Sequence, residues 1–268
     1  MPEPGGESTG PIRVVVFSSG PGLNHDVKEF IGRLEAHPDI VLLGVFSQSS
    51  SQSWAAIFRD LWRRRGILSV PLFAARLANN IGWYLKQPRE ELALRAGLSQ
   101  MKGRIHYVED IHAGAVIDQI TSLAPDLGLI YGSPILKPVL FNIPVSGTLG
   151  IHHGKVPQYR GNKTAFWAMY NGETVAGVTI QKVNEGLDTG SIVLMGEVTI
   201  GGRTYGRVWN ELEALGLDLY IEAILKVRDG TATYTPQEGE KGKLYRNPKP
   251  GDFVMFWIKR VERRFGRT

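Results

Sequence analysis

Ile12-Arg13-Val14-Val15-Val16-Phe17, a Gly/Pro turn over Ser18 to Gly22, a helical pattern from His25 to Glu35, and Ile40-Val41-Leu42-Leu43-Gly44-Val45-Phe46 follow one another near the start of the chain. Strand, tight turn, helix and strand within about 35 residues make a βαβ unit, which predicts a parallel sheet covered by helices.

Outward from this unit the rhythm breaks once and then resumes. Trp54, Ile57, Phe58, Leu61 and Trp62 fall at i, i+3, i+4, i+7 and i+8, an amphipathic helix template that ends in Arg63-Arg64-Arg65. A second helical stretch is expected from Leu72 to Leu85. Together they form a basic helical insertion, residues 51–100, unusually long for a connection between a strand and a helix. The α/β pattern returns with a strand at Ile105 to Val108, a helix at Ala113 to Leu123, and a buried strand at Asp126 to Tyr131. Thr148 to His152 reads as a strand and Thr164 to Tyr170 as a short helix. Val175 to Val183 and Ser191 to Ile200 alternate as a half-exposed strand pair, and Thr204 to Val227 is the longest helix. After Gly230 the chain is rich in Gly, Pro and Lys, then closes with Phe253, Trp257, Val261 and Phe265 on one helical face among basic neighbours.

With 268 residues, 43% hydrophobic and 21% charged, the chain is long enough for a substantial core and too apolar for global disorder. Cysteine is absent, which excludes disulfides and thiolate metal sites. No run of about 18 apolar residues is present, and Met1 to Thr9 has no signal-peptide pattern, so a cytoplasmic setting is expected. The net charge of +5 is unevenly spread. Trp54 to Lys102 holds nine Lys/Arg against three Asp/Glu, and Lys241 to Thr268 holds nine against two. Such segments are either solvated faces or surfaces for something anionic: a phosphorylated substrate, a membrane or a nucleic acid.

Three places can carry chemistry. The turn Ser18-Ser19-Gly20-Pro21-Gly22 precedes a helix whose first N–H groups can hold an anion, but it lacks the third glycine of a dinucleotide fingerprint and also reads as a plain tight turn. His152 and His153 end a strand, at the sheet edge where α/β proteins place ligands. By spacing alone they are catalytic, metal-binding or structural; without H-x-x-x-H or H-E-x-x-H, zinc is not expected. Asp188, in Glu185-Gly186-Leu187-Asp188-Thr189-Gly190, is either a turn-former or the group that orients a histidine.

Two blocks together narrow these alternatives. Gly150-Ile151-His152-His153-Gly154-Lys155-Val156-Pro157-Gln158-Tyr159-Arg160-Gly161 continues into Ala165-Phe166-Trp167-Ala168-Met169-Tyr170-Asn171-Gly172-Glu173. The second block runs from Gly177-Val178-Thr179-Ile180 to Leu187-Asp188-Thr189-Gly190. In order and content they resemble the family of formyltransferases that use 10-formyltetrahydrofolate, which includes glycinamide ribonucleotide, methionyl-tRNA and sugar-amine formyltransferases. The resemblance spans about Ile12 to Val227 and is dense from Gly132 to Gly190. It implies an α/β, Rossmann-like formyltransferase fold with a mostly parallel central sheet flanked by helices, a catalytic domain over 10–228 and a basic C-terminal tail over 229–268.

It further implies formyl transfer to an amine of a small-molecule acceptor, an amino sugar nucleotide or an amino-acid-derived amine. The family's catalytic His and Asp map onto His152 and Asp188, but its catalytic Asn maps onto Gly150. That departure leaves His153 or Lys155 as auxiliary donors. It also raises altered chemistry, such as hydrolysis of the formyl donor, or a non-catalytic membrane-peripheral protein. Folate contacts are implied at Tyr131, Gly132, Ser133, Ile135 and Leu136 and at Val183, Asn184, Gly186 and Leu187. Acceptor contacts are expected at Ser19, Gly20, Tyr159, Arg160 and Gly161. No metal is expected. About 40 residues follow Val227, too few for the C-terminal barrel of the tRNA branch, so nucleic acid is not an expected partner. Peripheral membrane contact through the basic helices and a homodimer stay open.

Overall fold

The computed structural model describes residues 10–19, 23, 25–48, 58–59, 62–63, 66–71, 73–74, 101, 103–239, 242–264 and 266. A seven-stranded sheet has the order β3-β2-β1-β4-β5-β7-β8. The strands are β1 (Ile12–Ser19), β2 (Ile40–Gln48), β3 (Ile105–Val108), β4 (Leu127–Ile130), β5 (Thr148–His152), β7 (Val175–Lys182) and β8 (Ile192–Thr199). The first five pair in parallel, and β7 and β8 add an antiparallel edge. β1 lies at the centre of the five parallel strands with Val14 through Phe17 fully buried, which explains its unbroken apolar run. From β1 the chain goes to β2 on one side and later to β4 on the other, so the strand order reverses beside β1. A crevice at the carboxyl ends is the physical consequence of such a reversal.

Helix α1 (His25–Ala36) and helix α5 (Tyr205–Arg228) pack on one face through Phe30, Ile31, Leu34, Leu217, Tyr220 and Ile224. The Tyr220 hydroxyl, fully buried, donates toward the carbonyls of Ile130 and Leu149 and so ties α5 to β4 and β5. Thr204 caps α5, its side chain accepting the Arg207 N–H. Helix α2 (Gly114–Leu123) and the single turn α3 (Pro138–Phe141) cover the other face, against Phe17 and Phe46.

Helix α4 (Thr164–Asn171) leads to the edge strands. A small second sheet joins β6 (Tyr159–Gly161) in parallel to β9 (Lys243–Tyr245). This pairing, and the packing of the last helix, α6 (Pro250–Arg264), are not visible in the hydropathy pattern. The Tyr245 ring stacks on Tyr159 and Trp167, Phe256 is buried against Phe166, and Arg263 donates to the Met169 and Tyr170 carbonyls. The expected tail thus packs on α4. In the insertion, Trp54, Ile57, Leu61 and most of Leu72 to Leu85 lie outside the described residues. Phe58 contacts both Trp62 and Phe73. No described helix is long and apolar enough to cross a membrane.

Candidate active site

β5 carries the candidate residues to the carboxyl edge. Its pairing with β7 sets Gly150 opposite Gln181 and His152 opposite Thr179. Period-two alternation puts residues 150 and 152 on one face of the strand. His152 is only 7% exposed. Its Nε2 lies 2.7 Å from the Tyr159 carbonyl oxygen, and its Nδ1 lies 3.4 Å from Asp188 Oδ1. A carbonyl only accepts, so Nε2 carries a proton; the second nitrogen faces the carboxylate.

Asp188 is held by its backbone surroundings. It sits in the left-handed region at φ 51°, a conformation that Asp tolerates better than most residues. The Gly161 N–H donates to its Oδ2 at 2.8 Å, and Gln181 Nε2 lies 3.4 Å from Oδ1. Arg160 donates twice to the Leu187 carbonyl, through Nε and Nη2. Gln237 Nε2 donates to the carbonyls of Asp188 and Gly190. Gly161 has φ 92° and lies so close to β9 that a Cβ would collide with the Tyr245 carbonyl. Only glycine fits there, and its N–H is thereby aimed at the carboxylate. At Gly150 the opposite holds: an added Cβ would meet Val183 Cγ2 at 3.5 Å and Ile130 Cβ at 3.8 Å, ordinary contacts.

His153 makes a different pair. Its Nε2 lies 2.8 Å from Glu213 Oε2 on α5, with the Trp209 ring 4.7 Å away and Lys163 Nζ over that ring. Burial raises the Glu213 carboxyl to about 8, and Asp26 and Glu29 add to the effect. Burial also holds the His153 imidazole down at about 3, helped by His152 and Lys163. Both groups are driven neutral, and despite the 2.8 Å approach His153 Nε2 is buried without a well-aligned hydrogen-bond partner. Glu213 Oε1 is buried without a hydrogen-bond partner. A cavity of about 290 Å³ adjoins both pairs, lined in part by Tyr131, Gly132, His152, Lys163, Trp209 and Glu213. Asp26, also in its wall, has its carboxyl pushed up by burial against the opposing pull of His25.

Residues 93–224 match the formyl transferase family model. That region, just under half of the chain, is similar to formyl transferases. Its relatives include a methionyl-tRNA formyltransferase of Thermodesulfovibrio yellowstonii, 39% identical over 46% of this chain and 41% of that protein. A second, from Synechococcus, is 34% identical over 53% of this chain and 45% of its own length. The chain thus matches less than half the length of these curated relatives. Solved structures share the fold. A 4-N formyltransferase from Francisella tularensis superposes with TM-score 0.59 at 15% identity, over 95% of this chain and 88% of that one. Glycinamide ribonucleotide transformylase 1 from Symbiobacterium toebii gives 0.55 at 20% identity, over 82% and 89%.

The expected residues fall into three groups. His152 and Asp188 come together. Tyr159, Arg160 and Gly161, expected at the acceptor, make contacts that fix His152 and the Asp188 loop; the Tyr159 hydroxyl donates to Glu173. Lys155 pairs with Glu197 on β8 at 2.6 Å, and His153 pairs with Glu213. Around the folate stretches, Ile135 is 75% exposed and Leu187 42%, whereas Leu136 is buried beside Leu140. The Tyr131 ring stacks on Phe30. Ser133 Oγ donates to the Pro134 carbonyl. Val183 packs against the same core cluster as Leu136. Asn184 Oδ1 accepts from the Gly186 N–H and Thr189, which shapes the loop before Asp188. Ser19 donates to the Gly132 carbonyl, linking the first turn to the first folate stretch; Gly20 lies outside the described residues. Sequence reasoning missed Gln181, Glu213 and Gln237, which no motif marks. Glu213 alone left a signal, as an acid within an otherwise apolar stripe of α5.

Proposed function

We propose that this chain transfers a formyl group from 10-formyltetrahydrofolate to the amine of a small-molecule acceptor. The carrying observation is the His152–Asp188 pair at the carboxyl end of β5, beside a cavity, within a formyl transferase domain. The acceptor nitrogen attacks the formyl carbon, a C–N bond forms and the carbonyl electrons move onto oxygen. His152 donates to that oxyanion through Nε2, which exchanges the Tyr159 carbonyl for it, and the Asp188 carboxylate orients the ring and accepts the proton that leaves the amine. The bond from the formyl carbon to folate N10 then breaks, and N10 takes a proton.

The donor's flat, amide-like ring suits Gly132 to Leu136 and Val183 to Asp188, where main-chain polar groups alternate with the exposed apolar surfaces of Ile135 and Leu187. The acceptor enters through the cavity beside Trp209 and Glu213. Gly150 favours one second reading, hydrolysis of the formyl donor, because the strand position two residues before His152 offers no side-chain donor. Tetrahydrofolate release with a panel of amines decides between them. Release that depends on an amine supports transfer; release at the same rate without one supports hydrolysis; neither release nor binding of a folate analogue overturns both.

A further inference from the structure

The strongest unexplained surface is on α6. Its Phe256, Arg260 and Arg263 face the protein, against Phe166, the Gly202 carbonyl and the Met169 and Tyr170 carbonyls. Val254, Trp257, Ile258 and Val261 fall at i, i+3, i+4 and i+7, and so form a second stripe on the same helix. Their exposures run from 44 to 61%. Four large apolar side chains in one exposed row are more than scattered surface hydrophobics and mark an interaction surface. Arg246 and Lys249, both exposed, precede the helix, and Lys241 to Thr268 holds nine Lys/Arg against two Asp/Glu.

We propose that this stripe docks on an anionic lipid bilayer, with Trp257 and its aliphatic neighbours seated at the headgroup boundary and the exposed Arg246 and Lys249 on lipid phosphates. Charge decides the occupant. A second copy would bring one strongly cationic segment against another, whereas an anionic bilayer complements it. A nucleic acid would use the cations and leave the aliphatic row in water. A tryptophan beside aliphatic residues, with the exposed Arg246 and Lys249 before the helix, is the composition of helices that lie in the interface plane. The inference is independent of the formyl transfer reading.

Sedimentation of the full chain with vesicles tests it. With phosphatidylcholine–phosphatidylglycerol vesicles at low ionic strength the protein is expected in the pellet. With phosphatidylcholine alone it stays in solution, and at about 1 M salt, where screening shortens to about 3 Å, binding drops at least tenfold. The combined variant Val254→Ser, Trp257→Ser, Val261→Ser is expected to lose at least tenfold in binding while its melting temperature is unchanged, because all three side chains are exposed. Failure of the wild type to bind anionic vesicles, or undiminished binding of the variant, overturns the proposal. So does a concentration-dependent dimer in sedimentation equilibrium that the variant splits.

Discussion

His152 and His153 are neighbours on one strand end, and each meets a carboxylate, yet the two pairs are built for opposite ends. Asp188 receives the Gly161 N–H and the Gln181 amide, donors that suit a charged carboxylate. Glu213 is buried, has acids rather than donors near it, and keeps one oxygen without a partner. The first acid is held by hydrogen-bond donors beside a histidine; the second is driven to hold its proton. What separates them is backbone: Asp188 sits in a loop pinned by Arg160, Gln237 and β6, while Glu213 projects from a helix into the space between α5 and β5. A His–carboxylate contact is therefore not a mechanism in itself. The groups behind the acid decide its charge.

The sharpest way to break this contrast is at Asp188. Asp188→Asn keeps the left-handed backbone and an oxygen for the Gly161 N–H but removes the charge. We expect kcat for formyl transfer to fall about 10³-fold, with the fold retained by circular dichroism, and His152→Asn to fall comparably. Glu213→Gln should cost far less. Equal losses at the two acids would erase the distinction. A gain is expected at Gly150. The space around its Cβ is ordinary, so Gly150→Asn should fold, and a donor added on the His152 face should raise kcat by tenfold or more. An unchanged kcat, with amine-independent consumption of the donor, would instead favour hydrolysis.

Arg160 sharpens the comparison from the side of the loop. Arg160→Met keeps the aliphatic stem and removes both bonds to the Leu187 carbonyl. We expect kcat to fall about tenfold with KM for the acceptor little changed, and Arg160→Lys, which restores one donor, to recover part of the loss. A KM effect without a kcat effect would return Arg160 to the acceptor-binding role that its motif position implies.

The parallel core was legible because buried strands and amphipathic helices leave periodic traces: β1, α1, β2, β5 and α5 all fall where the hydropathy pattern puts them. His152 and Asp188 were legible through motif order, not through spacing, which left both with structural alternatives. The β6–β9 pairing was not legible, because three-residue strands carry no period and the partners lie far apart in the chain. Gln181 and Gln237 escaped for a related reason. Their role is to bond main chain and side chain across loops, and that depends on three-dimensional approach rather than on any local pattern. The motif Tyr159-Arg160-Gly161 was noticed, but its contacts to His152 and Asp188 run through a carbonyl and an N–H, which residue types do not display.

The smallest expected effect isolates the buried pair through stability. Stability rises with pH wherever the unfolded chain binds more protons than the folded one. For His153, about 3 when folded and 6.5 in the reference state, that window runs from about pH 3 to 6.5, and stability rises across it. For Glu213, about 8 when folded against 4.5, the folded chain holds the extra proton, so stability falls from about pH 4.5 to 8. The two slopes oppose between 4.5 and 6.5, and above 6.5 only the loss from Glu213 remains. Glu213→Gln keeps a donor for His153 Nε2 and removes the titration. The unfolding free energy of the wild type, measured by denaturant titration from pH 6.5 to 8, should therefore decline more steeply than that of the variant, by at most about 1.4 kcal/mol per pH unit. Parallel curves would mean that Glu213 is already charged in the folded protein. The two histidine–carboxylate pairs would then differ in position and not in charge.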